Sequence, residues 1–136
     1  MLEIFQEFIS TLTGSSALTA IVPAKNILTG NADIIQEKAA NLLEPSIILS
    51  QVSEAVRSVP LNTRDTQVQL DILSRNSQLE VEKIYEQILI LIDYQILNQG
   101  SAHIFWQRLG GAVDNFESDR RVWRRSCTFT VWSTKP

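Results

Sequence analysis

SQLEVEKIYEQILILIDYQILNQG, residues 77–100, reads as one long helix between two pairs of strands. Ser77 and Glu80 form an S-x-x-E capping box, in which the Ser77 hydroxyl takes the Glu80 amide proton and the Glu80 carboxylate reaches back to the Ser77 amide. Val81, Ile84, Tyr85, Ile88, Leu89, Leu91, Ile92 and Ile96 then recur at helical spacing, with Glu82, Lys83, Glu86, Gln87 and Asp93 on the other side. Asn98 and Gly100 permit a left-handed exit. Ile90 breaks the pattern, because it falls on the polar side with Glu82, Glu86 and Asp93. A single exposed isoleucine is ordinary; the sharper reading is a contact with another subunit.

Upstream of this helix, Val68, Leu70 and Ile72 alternate with Gln67, Gln69 and Asp71, which predicts a half-buried strand over Arg64–Asn76. Pro45 opens another strand, Ser46–Arg57, through the apolar run Ile47-Ile48-Leu49. A loop containing Val59-Pro60-Leu61-Asn62 joins the two as a hairpin. Downstream, His103–Arg108 is a third strand, broken or bent by Gly110-Gly111. Asp114–Asp119 reads as an acidic turn, and the last strand runs from about Arg121 to Ser133 with Cys127, Phe129 and Val131 on one face.

The N-terminal part adds an amphipathic helix over Glu3–Leu12 and a second short one, Ala17–Val22, capped by Ser15 or Ser16 and ended before Pro23. Asn26–Thr29 is a short strand, and Ala32–Leu43 a short helix or an irregular excursion over the sheet edge. The whole is an α+β two-layer sandwich: an antiparallel or mixed sheet of about four to five strands, with two main helices on one face. The other face carries Gln51, Gln67, Gln69, Thr128 and Thr130, polar but hardly charged. With 136 residues and no repeat or linker, residues 1–136 read as a single domain.

Composition excludes several functional classes. The 44% apolar and 20% charged content is that of a soluble globular chain. There is no apolar run of about 20 residues to span a membrane, and Met1-Leu2-Glu3 does not open a signal peptide. The net charge of −3 argues against a dedicated nucleic-acid binder. One His and one Cys make no zinc pattern, so neither metal nor cofactor is expected. A His103–Cys127 dyad would need their strands to pair, but Cys127 is in phase with the core residues Phe129 and Val131. No nucleophile elbow or phosphate loop is present, and Glu82 and Glu86 read as a solvated face. An enzyme is not expected.

The unusual stretch is Arg120-Arg121-Val122-Trp123-Arg124-Arg125. Its arginines can pair within the hairpin with Asp114, Glu117 and Asp119. They can also meet an acidic protein neighbour, since Arg and Trp are enriched at interface hot spots, or contact DNA phosphates.

Taken together, these phrases resemble the tail-completion and tail-terminator proteins of tailed bacteriophages. The resemblance runs from Leu2 to Ser133. It rests on "SALTAIV" after the first helix, "PSIILSQVSE", the alternating strand "TQVQLDILSRN", the helix "LEVEKIYEQILILID" and the closing strand "NFESDRRVWRRSCTFTVWS", the most specific of them. Asn31–Glu44 departs from the family pattern by being longer and more helical. The resemblance implies a structural virion protein of the tail or neck, assembled in the host cytoplasm. It would form a homo-oligomeric ring, expected to be a hexamer, that caps the head-proximal end of the tail tube. Such a ring stops polymerisation and offers a surface to the neck or head-completion protein, while DNA passes through its lumen without sequence-specific binding. Candidate contacts are Arg57, Leu61 and Arg64 in the Val56–Asp65 loop, Ile90 on the helix, and Arg120, Arg121, Trp123, Arg124 and Arg125. The competing readings are a head-completion, stopper or adaptor ring of the neck, and a small non-viral protein-interaction module.

Overall fold

The computed structural model describes residues 2–30, 44–57, 63–97, 104–118 and 121–134. Helix α1 spans Leu2–Thr13 and the single turn α2 spans Ser16–Thr19, where the Ser15 hydroxyl accepts the Leu18 amide at 3.3 Å. After Pro23 a 3-10 turn, Ala24–Asn26, leads into strand β1, Ile27–Thr29. The buried Asn26 side chain donates to the Pro45 carbonyl at 3.2 Å, which ties this turn to the start of β2. Strand β2 is Ser46–Arg57, β3 is Thr63–Ser74, helix α3 is Gln78–Ile92, β4 is Ile96–Leu97, β5 is Ile104–Glu117 and β6 is Val122–Thr134.

These strands form one six-stranded mixed sheet in the order β1-β2-β3-β6-β5-β4. Every pairing is antiparallel except β1 with β2. Helices α1 and α3 cover one face, as the α+β two-layer reading expects. Phe8, Leu12, Val81, Ile84, Ile88 and Ile92 pack there with Val68, Leu70, Ile72, Cys127, Phe129 and Val131. Phe8 meets Phe129 edge-on, with ring centroids 6.4 Å apart, the geometry the ring quadrupoles favour. Ile48, Leu73 and Val122 form a smaller buried cluster. Their alternation with Ile47, Ile72 and Trp123 places them on the opposite side of the sheet.

Three expectations are corrected. Helix α3 ends at Ile92 rather than near Gly100. Asp93 is already extended, and Tyr94, not Asn98 or Gly100, makes the left-handed exit with φ 58°. Ile96 and Leu97 continue the helical apolar stripe in sequence, yet they pair with Trp106 and Phe105 as β4. The cause is the Asp93 carboxylate, which accepts the Leu109 amide at 2.8 Å and pins the helix end to β5. The second correction is to the strand read as His103–Arg108, which runs on to Glu117; of the break or bend read at Gly110-Gly111, it takes the bend. The register shift between Leu109 and Gly111 absorbs an extra residue as a bulge, and a Cβ at Gly110 would come within 3.3 Å of the Thr128 carbonyl oxygen. Third, and in consequence, Asp114–Glu117 lie on β5 rather than in a turn.

The capping box is half formed. The Glu80 amide donates to the Ser77 hydroxyl at 3.1 Å, while the Glu80 carboxylate accepts from the Ser74 hydroxyl at 2.7 Å and from Asn76 Nδ2 at 3.1 Å. The helical reading of Ala32–Leu43 and the sites of Leu61, Asn98, Gly100, His103, Asp119 and Arg120 lie outside the described residues.

Candidate assembly interface

Strands β5 and β6 pair along nearly their whole length, and this pairing organises the arginine-rich stretch. Asp114 stands opposite Arg125, Asn115 opposite Arg124 and Phe116 opposite Trp123. Alternation along β6 sends Trp123 and Arg125 to the helix side with Cys127, and Arg124 to the other side with Ser126.

On the helix side, the Arg125 guanidinium makes a two-point contact with Asp114, Nε to Oδ1 at 2.5 Å and Nη2 to Oδ2 at 3.0 Å. Nη2 also meets Glu82 Oε2 of α3 at 2.6 Å, and the guanidinium carbon lies 4.6 Å from the Tyr85 ring centroid. The hydrogen bond from Arg125 holds Asp114 below the usual carboxylate range, and the same bond raises Arg125 further above its own ordinary value. Arg125 is thus a bracket between β5, β6 and α3. Burial raises the Tyr85 hydroxyl above its ordinary value, helped by the neighbouring Cys127.

On the other side, Arg124 reaches Glu117 and the fully buried Asp71, each at 3.4 Å. The Ser126 hydroxyl donates to Asp71 Oδ1 at 2.5 Å, and Gln69 Nε2 donates to both Asp71 oxygens at 3.1 and 3.0 Å. The buried Asp71 carboxylate is thus met by Gln69 of its own strand and by Ser126 and Arg124 of β6. Back on the helix side, Trp123 rests on Phe116, centroids 4.4 Å apart. Arg121 is exposed in the turn before β6, with φ 53°.

Of the other candidate contacts, Ile90 is 66% exposed on α3. Arg57 and Arg64 lie at facing ends of β2 and β3, and of these two only the backbone is described. Leu79 and Tyr94 flank the α3 surface and are also exposed, and Val113 and Phe116 are exposed on β5, Val113 to 69%. The last two escape a sequence reading because Asp114–Asp119 looks like a turn, and because Val113 and Phe116, three residues apart, fall on opposite faces of β5 and give no period-two pattern. The polar sheet face forms a groove of about 420 Å³ lined by Gln67, Gln69, Ser126, Thr128 and Thr130 beside the β5 bulge.

The arrangement offers no reaction chemistry among the described residues. Cys127 is fully buried, and that burial pushes its thiol up to about 12. No group of three or more His, Cys, Asp or Glu side chains could hold a metal among the described residues. No described helix is long and apolar enough to cross a membrane.

Among solved structures, the chain is similar to a component of the "Virion of native gene transfer agent (GTA) particle". The TM-score is 0.68 at 10% identity, over 96% of this chain and 94% of that one, a likeness of fold. No curated protein matches. The family described as "Tail completion protein gp17" matches residues 6–134, and this protein belongs to that family of structural proteins of the virion tail.

Proposed function

We propose that this protein forms a ring that caps the head-proximal end of a phage tail tube. The ring ends tube polymerisation and presents the surface for head or neck joining. The observation that carries the reading is the family match over residues 6–134, on a chain whose described residues hold no catalytic constellation. Such a protein acts by shape. A head-to-tail contact between identical subunits closes into a ring, and growth stops when the outer ring face does not repeat the tube's complementarity.

Residues 1–136 act as one domain in this reading, assembled in the host cytoplasm and carried into the virion as a hexamer. The tail tube protein is its partner on one face and a neck or head-completion protein on the other. Ile90, Arg121, Trp123, Arg57 and Arg64 are assigned to these contacts, as are Leu61 and Arg120, which lie outside the described residues. Arg124 and Arg125 hold the monomer's own strands and helix, and they serve the interface by fixing Trp123 against Phe116. DNA crosses the lumen. The uncharged groove of Gln67, Gln69, Thr128 and Thr130 suits passage, since clustered cations would retard a polyanion.

Light scattering over a range of protein concentrations, with and without purified tail tubes, tests the reading. A stable ring, or a monomer that becomes a ring on tubes, is the expected result. A monomer or dimer indifferent to tubes overturns it, and binding to filled heads instead would favour a stopper or adaptor of the neck.

A further inference from the structure

Among the described residues, the pairing register leaves two strand edges without a neighbouring strand, complementary in length, direction and position. Arg57, Thr63, Thr134 and Ile104 lie level at one end of the sheet; Ser46, Leu73, Arg124 and Asn115 lie level near the other. Strand β1 covers β2 only at Ile47–Leu49. From Ser50 to Arg57 the outer side of β2 has no neighbouring strand among the described residues. Strand β4 covers β5 only at Phe105–Trp106, and Asp93 satisfies the Leu109 amide next to it. From Gly110 to Phe116 the outer side of β5 likewise has no neighbouring strand among the described residues.

Natural edge strands are blunted by lysine, proline or a covering element, because unpaired backbone groups template another strand. Gly110–Phe116 contains neither lysine nor proline. Its one charge, Asp114, is held by Arg125 of its own sheet. Val113 and Phe116 flank the edge with exposed apolar surface.

We propose that the β5 edge of one copy, Gly110–Phe116, pairs with the β2 edge of the next copy, Ser50–Arg57, and that this strand addition is the ring's subunit contact. The inference rests on the ring reading and names its interface. Within the sheet β2 and β5 run in opposite directions, so a neighbour in the same orientation presents an antiparallel partner. The open stretches sit at opposite ends, so the neighbour shifts along the strands by about six residues, about 20 Å at 3.3 Å per residue. That shift clears both short strands: the neighbour's β1 lies beyond Phe116, and the first copy's β4 lies short of the neighbour's Arg57. Each copy then adds four strands, β2, β3, β6 and β5, about 19 Å at 4.8 Å per strand. A stagger of about 20 Å over that width tilts the strands by about 45°, at the upper end of the tilt of closed barrels. The same half-edges that make the contact thus give it a geometry that closes, as a heterologous interface needs in order to terminate.

Disulfide trapping tests the pairing. Asn115→Cys is combined in turn with Ser50→Cys and Ser53→Cys, positions that share its side of the sheet and span the registers the shift allows. The proteins are mixed with purified tail tubes and treated with a mild oxidant; buried Cys127 does not compete. The expected result is a denaturant-resistant ladder up to the ring number for at least one pair, and none for Asn115→Cys alone. In the wild type, amide exchange over Gly110–Phe116 should slow by roughly tenfold or more on tubes, a readout that needs no variant. Rings that assemble with no ladder and unchanged exchange overturn the edge pairing and leave the ring reading standing. Dimers from Asn115→Cys alone overturn it in favour of a two-fold β5–β5 contact. A wild type that never forms rings on tubes overturns both.

Discussion

Arg125 shows why a run of arginines need not be a binding patch. Its guanidinium meets two carboxylates and an aromatic face at once, although Glu82 and Asp114 lie far apart in sequence and remain 44% and 47% exposed. The lowered titration of Asp114 turns this contact into a pH dependence. A carboxylate with a depressed folded-state value stabilises the fold above its unfolded value, about 3.9, and loses that contribution as the pH falls through the lower folded value. Asp114→Asn should therefore cost about 1 kcal/mol near neutral pH, modest because the carboxylate is half exposed. It should also flatten the loss of stability below about pH 4, and thermal melts from pH 2 to 7 check both. Cys127 is the complementary case. With its thiol pushed up to about 12 by burial, it should resist thiol reagents at pH 8 in the native state and react only on unfolding. Rapid labelling of the folded protein would revive the thiol-enzyme alternative.

Among the elements, α3 carries the most local information. Its N-terminus is set by Ser77, and Ser77→Ala should lower stability by about 1 kcal/mol in a denaturant titration, because the Glu80 amide loses its acceptor. The loss is confined to that amide, since Ser74 and Asn76 continue to hold the Glu80 carboxylate. The C-terminus follows other rules. Ile96 and Leu97 suit a helix by spacing, and they become β4 because Asp93 binds the Leu109 amide of β5. The β5 bulge is of the same kind: two glycines read as a break or a bend, and a partner strand on one side carries the chain through them. Cross-strand pairing outweighs the local preference in both places, and a partner's register is not written in the segment that adopts it.

For the molecule as a whole, the question is which surface meets other subunits. Ile90 stands out of α3 with 66% of its surface in water, so Ile90→Asp should leave the melting temperature of the monomer nearly unchanged, within about 0.5 kcal/mol. If Ile90 seats on the tube, the same substitution abolishes recruitment in a tube pull-down; recruitment at wild-type affinity removes it from the interface. Reversing charge at Arg124 and Arg125 is a poorer test, because both hold intrachain carboxylates and the monomer itself would suffer.

The apolar alternation of Val68, Leu70 and Ile72, the stripe from Val81 to Ile92 and the Pro45-led strand determine the α+β two-layer plan by themselves. Burial of a periodic face is a property of the segment that carries it. The same strings of residues carry the family resemblance that the match over residues 6–134 bears out. Tertiary structure decided what depends on two distant segments meeting: the end of α3 at Asp93, the extension of β5 to Glu117, the burial of Asp71 and the bracket around Arg125. The order β1-β2-β3-β6-β5-β4, with short strands covering opposite ends of its two sides, is likewise a fact about pairing. A strand's side-chain pattern records which face is buried, and its backbone, identical in chemistry along the chain, does not record which edge lies open.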